Sequence, residues 1–252
     1  MIHNLLDDRS AMPSERLLAT EMAGNLVVFN DELATTLLSI VSNSGEVEVL
    51  RSKAAISFGP AFEHADLYEF DDPSDIILSA DIFREAQTLF KEFFYNDAFP
   101  KDVRRNILEA AVRAPLDWHS EAVNAAFTNE DESWQLTAVF CMSFLQGFEQ
   151  QIIEALQSDN LDIRYQALLA AGNWGLEKAW PPVAAMLSDP AIEKNLLLAN
   201  IEAAANIGLS EAIDPLLKLL YSDDNDVIDA ASEALAILDE NEFDDTYDDD
   251  DW

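Results

Sequence analysis

Residues 170–189 read AAGNWGLEKAWPPVAAMLSD, and residues 203–223 read AAANIGLSEAIDPLLKLLYSD. In both stretches small residues precede an Asn, an apolar residue and Gly-Leu, and a Pro then opens an apolar run that ends in Ser-Asp. The two copies begin 33 residues apart. A match of this density at a fixed offset indicates that one supersecondary unit is repeated along the chain.

The pattern extends in both directions from these two copies. AAISFG at residues 54–59 has the form of AAGNWG at residues 170–175. Predicted helices end at Gly59, Pro115, Gly147, Gly175, Gly208 and Leu238, and the intervals after Pro115 are 28 to 33 residues long. The sequence contains no alternating apolar run flanked by hairpin turns, which is the pattern expected of β-strands. The sequence therefore predicts an all-α fold, an α-solenoid of about six helix-turn-helix repeats that bury their apolar faces against one another.

Three segments depart from the repeat pattern. Residues 1–13 are predicted to be a frayed lead-in that ends at Pro13, where Ser14 can cap the first helix. Residues 60–82 contain two prolines and many acids, which predicts an acidic insertion within a solenoid of residues 14–240. Residues 241–252 are mostly acidic, and such a run repels itself, so we predict a disordered tail.

The charge of the chain is strongly unbalanced. It has 49 acidic and 14 basic residues, which gives a net charge of -35. This charge repels nucleic-acid phosphates and anionic lipids, which argues against direct binding to nucleic acid or membrane and favours a basic protein partner. The single cysteine, Cys141, is typical of a reducing compartment, and the N-terminus lacks the basic and apolar regions of a signal peptide. We therefore expect a cytoplasmic protein, and no feature of the sequence indicates its oligomeric state.

The helices carry the motif D-x-x-x-[VI]-R-x-x-A-x-x-A, complete or in part. It occurs in DNLDIRYQALLAAG at residues 159–172, in KDVRRNILEAA at residues 101–111 and in VLRSKAAISFG at residues 49–59. With these residues the chain resembles the HEAT-repeat family, in particular its short, phycobilisome-lyase-type repeats, over residues 31–240. The resemblance implies the α-solenoid, whereas function has to be argued from a site.

One arginine recurs at the same repeat position, as Arg51, Arg104 and Arg164. Each could pair with an aspartate near the preceding turn and form a ladder through the solenoid. Alternatively, the three could offer a row of cations to an acidic ligand. Six of the basic residues also fall between Arg84 and Arg113, which is either a docking patch for a carboxylate or phosphate or ordinary surface pairing.

Tryptophans lie in or beside the predicted turns, where they are either inter-helix core or an aromatic recognition ridge. In the tail, aromatic residues stand among the acids and could anchor a basic partner. The candidate binding residues are Arg104, Arg105, Arg113, Trp118, His119, Trp134, Arg164, Asn173, Trp174, Phe243, Tyr247 and Trp252.

Catalytic and metal-binding patterns are poorly represented. Three histidines and one cysteine give little material for a zinc site. An iron hydroxylase of the HEAT type is built on His-Glu pairs, but this chain has no His-Glu dipeptide. There is no phosphate-binding glycine loop and no G-x-S-x-G motif. We therefore predict no catalytic residues, no cofactor and no metal.

The sequence is most consistent with a non-enzymatic scaffold or adaptor that binds another protein. One alternative is an enzyme or enzyme accessory of the lyase-like HEAT type. A further alternative is an acidic mimic of nucleic acid, which would act on a nucleic-acid-binding protein.

Overall fold

The computed structural model describes residues 2–8, 10–68 and 77–245, with the side chains of residues 241–245 left out. The chain divides into two compact units, residues 1–129 and residues 130–252. The described residues contain helices and turns and no β-strand, which confirms the all-α prediction.

The first unit contains eight described helices. They are α1 (Ile2–Asp7), α2 (Pro13–Ala23), α3 (Asp31–Ser42), α4 (Glu48–Ile56), α5 (Gly59–Tyr68), α6 (Ala80–Tyr95), α7 (Lys101–Ala111) and α8 (Trp118–Phe127). The helices pair as α1 with α2, α3 with α4 and α6 with α7. The second members of the pairs, α2, α4 and α7, pack on one another in sequence order. We call them the stacking row of this unit.

The core of the first unit is aromatic. The rings of Phe58, Phe62 and Phe90 are fully buried, and their centroids lie 5.1–5.5 Å apart. Edge-to-face and tilted contacts at these distances stabilise a core beyond the burial of apolar area alone. They join α5 and α6 to the residues just after α4.

The second unit repeats the same pairing. Its helices are α9 (Glu132–Met142), α10 (Glu149–Ala155), α11 (Leu161–Asn173), α12 (Trp180–Leu187), α13 (Lys194–Ile207), α14 (Ile213–Leu219) and α15 (Asn225–Asp245). Short 3-10 turns, Glu177–Ala179 and Ser210–Ala212, precede α12 and α14. The pairs are α10 with α11, α12 with α13 and α14 with α15, and the stacking row is α9, α11, α13 and α15. An α-solenoid arrangement of helix pairs is thus present in each unit, as predicted.

Small residues allow α11 and α13 to approach closely. A Cβ placed on Gly172 would lie 3.2 Å from the Cα of Ala203. After α13 the chain turns at Gly208, whose φ of 77° lies in the left-handed region that glycine adopts at low cost. The repeated Gly-Leu of the sequence is therefore the point where a stacking-row helix ends.

The three segments outside the repeat pattern begin differently from what we predicted. The lead-in, residues 1–13, contains the helix α1, which packs on α2 and α3 and buries Leu6. The first residues of the insertion, to Tyr68, belong to α5, and residues 69–76 lie outside the described residues. The last helix continues to Asp245, so the predicted tail begins inside α15, and residues 246–252 also lie outside the described part.

An arginine ladder is present in the first unit. Arg104 pairs with an aspartate of the preceding turn, Asp97, as predicted, but the acceptors that Arg51 and Arg104 share are carbonyls at helix ends. The Nε of Arg51 donates to the carbonyl oxygen of Val41 at 2.9 Å, and that of Arg104 donates to Phe94 at 2.7 Å. Val41 and Phe94 are the penultimate residues of α3 and α6. The last carbonyls of a helix lack intrahelical partners and carry partial negative charge. An arginine side chain donates the missing hydrogen bond and brings a positive charge close to this partial negative charge.

Arg16 is a further member of this ladder that the sequence reading missed. Its guanidinium donates to the carbonyl of Leu6, the penultimate residue of α1, and pairs with Glu46 at 2.7 Å. Arg164, predicted at the same position of α11, is half-buried, and its Nε has no hydrogen-bond partner among the described residues. The ladder is therefore a feature of the first unit.

No helix in the described part of the chain combines the length and the apolar character that a membrane span needs.

Candidate functional site

A groove of about 1020 Å³ crosses α11, α13 and α15, the last three helices of the stacking row in the second unit. The helices are held in register by the equivalent buried residues Ile163, Leu196 and Val227. Side chains three or four positions apart share one helix face, so the outward positions of each helix form a stripe. Three such stripes, side by side, make the floor of the groove.

Equivalent positions of the three helices supply the lining. Positions are counted from Ile163 in α11, Leu196 in α13 and Val227 in α15. In each helix the residue before this position and the second residue after it line the groove. In α13 and α15 the sixth and tenth residues after this position also line it. In this order the lining residues are Asp162, Asn195, Asp226; Tyr165, Leu198, Asp229; Glu202, Glu233; Asn206, Ile237.

The groove is acidic throughout. Six carboxylates line it, from Asp162, Glu193, Glu202, Asp226, Asp229 and Glu233, and no lysine or arginine is among the lining residues. Glu202, Asp229 and Glu233 are exposed, and within the described part of the chain none of the three has an ion-pair partner. Carboxylates gathered in this way produce a local negative potential that attracts cations.

Apolar side chains lie among these carboxylates. Leu161 is 47% exposed, and Tyr165 and Ile237 are each 37% exposed. Such surfaces suit the aliphatic stem of a lysine or arginine, whose charged end can remain at the carboxylates.

Lys194 forms ion pairs beside the groove, one of them with the lining residue Asp226. Its Nζ lies 2.7 Å from Asp226 and 2.7 Å from Asp224. These hydrogen bonds raise the pKa of Lys194, and the bond from Lys194 lowers the pKa of Asp224. Asp226 is therefore already neutralised from within, whereas the carboxylates farther along α13 and α15 are not.

Most of the predicted binding residues lie elsewhere. All four arginines of the basic cluster form ion pairs within the first unit: Arg84 with Asp81 at 3.6 Å, Arg104 with Asp97 at 2.8 Å, Arg105 with Asp102 at 3.3 Å and Arg113 with Glu63 at 2.6 Å. These contacts correspond to the surface-pairing alternative for the predicted docking patch, Arg84 to Arg113.

The predicted aromatic residues differ in burial and in surroundings. Trp118 and His119 are buried in contact, with ring centroids 3.9 Å apart. Trp134 is half-buried on α9. Trp174 is 38% exposed beside a separate pocket of about 490 Å³, and its Nε1 donates to the carbonyl of Met142 at 2.7 Å.

The remaining candidates are Asn173, Arg164 and the tail aromatics. Asn173 is exposed at the end of α11, in the position equivalent to Asn206, but does not line the groove. The side chain of Phe243 and all of Tyr247 and Trp252 lie outside the described residues.

His119 has an unusual environment. Its Nδ1 accepts a hydrogen bond from the backbone N–H of Leu116 at 2.8 Å, and its Nε2 has no partner among the described residues. Burial lowers the pKa of His119 to about 4. The ring is therefore neutral near pH 7 and is a structural part of the first unit.

The groove residues were missed because the sequence was read for clusters along the chain. The acids that line the groove come from three helices, so they are far apart in the sequence. Aligning the repeats on Ile163, Leu196 and Val227 would have shown the signal. The outward positions that follow in register then contain acids, amides and apolar residues and no base.

Comparisons with known proteins identify the repeat type. A family model for HEAT repeats matches residues 149–236. Among curated proteins, none matches the sequence. An engineered protein of solved structure is similar at 17% identity, with a TM-score of 0.50, over 82% of this chain and 96% of that one.

Two natural proteins are also similar in structure. Human deoxyhypusine hydroxylase has a TM-score of 0.46 at 14% identity, over 95% of this chain and 83% of its own. Kap121p has a TM-score of 0.47 at 10% identity, over 98% of this chain and 38% of its own. At these identities and TM-scores the likeness to the two proteins says nothing about the activity of this chain. The predicted HEAT-repeat character is confirmed, and the match to the family model lies in residues 149–236.

Proposed function

We propose that this protein is a non-enzymatic interaction scaffold whose acidic groove binds a basic segment of a partner protein. HEAT-like solenoids present extended surfaces built from successive repeats and commonly serve as protein-interaction scaffolds. The observation that carries the proposal is a groove across three consecutive repeats whose lining includes six carboxylates and no lysine or arginine.

The chemistry of the groove fits lysine and arginine side chains. Their ammonium or guanidinium groups would meet Glu202, Asp229 and Glu233, which have no internal cation to give up. Their stems would cover Tyr165 and Ile237. A bound cation would also relieve the repulsion between neighbouring carboxylates.

The first unit provides a contrast that favours the second unit as the binding surface. On α7 the outward positions are Asp102, Arg105 and Glu109, and Arg105 pairs with both acids at 3.3 and 3.9 Å. Between α2 and α4, Glu21 pairs with Lys53 at 2.8 Å. The charges of that row are largely balanced internally, so they offer less to a basic ligand.

The chain has a single cysteine, Cys141, and its thiol is buried. A reducing, cytoplasmic location therefore suits the proposal.

Charge reversal tests the proposal. A short labelled peptide repeating Lys-Leu-Lys-Ser should bind the wild-type chain and lose affinity as salt is added. Glu202→Lys/Asp229→Lys should weaken binding by at least about tenfold, because two uncompensated carboxylates become cations. The measurement is fluorescence anisotropy over a series of salt concentrations.

A matched control separates a local effect from a general one. Glu154→Lys/Asp214→Lys changes the net charge by the same amount, at exposed residues of α10 and α14 outside the groove. This variant should bind the peptide like the wild type. Equal weakening by both variants would show that the net charge, and not the groove, attracts the peptide.

A further inference from the structure

The acids of the groove are unevenly distributed over its three helices. At the second position after the reference residues, α11, α13 and α15 carry in turn Tyr165, Leu198 and Asp229. At the sixth position they carry Leu169, Glu202 and Glu233. The position before the reference residue is polar in all three helices, so it does not follow this trend. The middle of the outward face therefore changes from apolar on α11 to acidic on α15.

Helix α9, which packs beside α11 in the stacking row, extends the apolar side. Its buried residues 138 and 139 correspond to residues 167 and 168 of α11. In this register the outward positions of α9 are Leu136 and Phe140, both half-buried. Two apolar stripes thus precede the two stripes that carry the acids.

The apolar edge of the groove on α11 is open to solvent. Leu161 is 47% exposed and Tyr165 is 37% exposed, and residues four apart on a helix are neighbours on its surface. Asp162 is the acid that α11 contributes to the lining. A base on this edge would meet one carboxylate, whereas a large apolar side chain would remove both Leu161 and Tyr165 from water.

The acidic edge of the groove favours bases instead. Glu202, Asp229 and Glu233 are exposed and have no ion-pair partner within the described part of the chain. Lys194 shows how carboxylates of this unit hold an ammonium, since its Nζ lies 2.7 Å from each of two aspartates. The three open carboxylates can hold ammonium groups of a ligand in the same way.

The distance between the two edges sets the spacing of the ligand's side chains. α11 packs on α13 and α13 packs on α15, so the edges are two helix spacings apart, about 16–20 Å. An extended chain advances about 3.3 Å per residue, so about five or six residues cover this distance.

We propose that the segment bound in the groove is apolar at one end and basic at the other. Its large apolar residues pack on Leu161 and Tyr165, and its bases, about five residues away, meet Glu202, Asp229 and Glu233. This inference rests on the proposed function, which places a basic segment in the groove, and it adds the order of the side chains in that segment.

Two labelled peptides of the same composition test the order. One is Leu-Phe-Ser-Leu-Ser-Ser-Lys-Ser-Lys-Lys, and the other interleaves the same residues as Lys-Leu-Ser-Lys-Phe-Ser-Lys-Leu-Ser-Ser. The first should bind the wild-type chain about tenfold more tightly in fluorescence anisotropy, because only its order satisfies both edges at once.

A variant of the apolar edge should remove this preference. With Leu161→Ser/Tyr165→Ser the two peptides should bind within about twofold of each other, and the interleaved peptide should bind as it does to the wild type. Leu217→Ser/Tyr221→Ser is the matched control, because it changes the same residue types at the same spacing, on exposed residues outside the groove. The control should keep the full preference.

The outcomes separate this inference from the proposed function. Equal affinity of the two peptides for the wild type overturns the inference, and the proposed function survives if Glu202→Lys/Asp229→Lys weakens both peptides. Binding of neither peptide overturns both. A preference that persists in Leu161→Ser/Tyr165→Ser, or that the control loses as well, also overturns the inference.

Discussion

His119 is a buried residue whose protonation should lower the stability of the fold. Its pKa is about 4 in the folded protein, below the ordinary value of 6.5, because burial disfavours the charged ring. Between these values the unfolded chain binds more protons than the folded chain. The stability that depends on neutral His119 is therefore fully present above pH 6.5 and is lost progressively as pH falls towards 4.

This linkage gives a quantitative expectation for His119→Gln. Between pH 7 and pH 5 the wild type should lose about 2 kcal/mol of unfolding free energy through this one group. The variant should lack that component, while the titrating carboxylates affect both proteins alike. Urea denaturation at the two pH values measures the difference. Parallel losses in the two proteins would mean that His119 is not held neutral by burial.

The arginines show how far a single residue can be read from sequence. The repeat position predicted that Arg51 and Arg104 belong to one structural series, and both donate to the end of the preceding helix. Arg104 also pairs with Asp97, as predicted, but the acceptors common to both arginines are backbone carbonyls, which leave no trace in the sequence. Arg16 was missed because it lies outside the segment in which the motif was recognised.

At the scale of elements, the repeated Gly-Leu marks helix ends whose backbone requires glycine. Gly208 ends α13 with a φ of 77°, and its N–H bonds to the carbonyl of Ala204. Gly208→Ala should lower the unfolding free energy by about 1 kcal/mol, because a Cβ is disfavoured in the left-handed region. Thermal and urea denaturation would detect this change.

Gly24 provides the matched control at another helix end. It follows α2 with a φ of -70°, and a Cβ there would meet its nearest neighbour at 3.4 Å, an ordinary contact. Gly24→Ala should therefore be neutral or slightly stabilising, since it restricts the unfolded chain. Similar losses from both substitutions would contradict the role assigned to the backbone angle.

Element boundaries were hardest to predict where a helix is short. The six residues of α1 are stabilised by packing on α2 and α3 and by the acceptance of the Arg16 bond at Leu6. A helix of this length is not stable alone, so its sequence carries only a weak local signal. Tertiary contacts therefore decided that the lead-in is helical.

At the scale of the whole molecule, the acidic tail and the acidic groove are rival sites for a basic partner. Residues 246–252 read TYDDDDW, a composition with little apolar surface to bury. Deleting these residues should leave the melting temperature within about two degrees, since such termini contribute little to a core. If the groove is the site, binding of the Lys-Leu-Lys-Ser peptide should also persist.

The opposite outcome would favour the hypothesis that the tail recruits the partner. In that case deletion should slow association and reduce its dependence on salt, because the aspartates would have steered the encounter. Stopped-flow measurements with the same peptide distinguish the two sites. Charge reversal at Glu202 and Asp229 should then have no effect.

The sequence by itself determined the class of fold and the repeat. The repeat is recognised from local features that recur between its copies. These features are apolar positions at helical spacing, small residues such as Gly172 and Ala203, and Gly-Leu at the helix ends. The excess of acids also follows from composition alone. None of these features depends on where distant residues meet.

Only the tertiary structure decided which acids act together. Glu202 and Asp229 are 27 residues apart, and they line one groove because α13 and α15 stack in register. Likewise, Leu161 and Tyr165 look like ordinary core residues of an amphipathic helix until the stacking row places them on its outward face. The packing of neighbouring helices decides whether an outward charge is neutralised. Glu21 is neutralised because the neighbouring helix offers Lys53, whereas a charge that meets no such neighbour stays open to a partner.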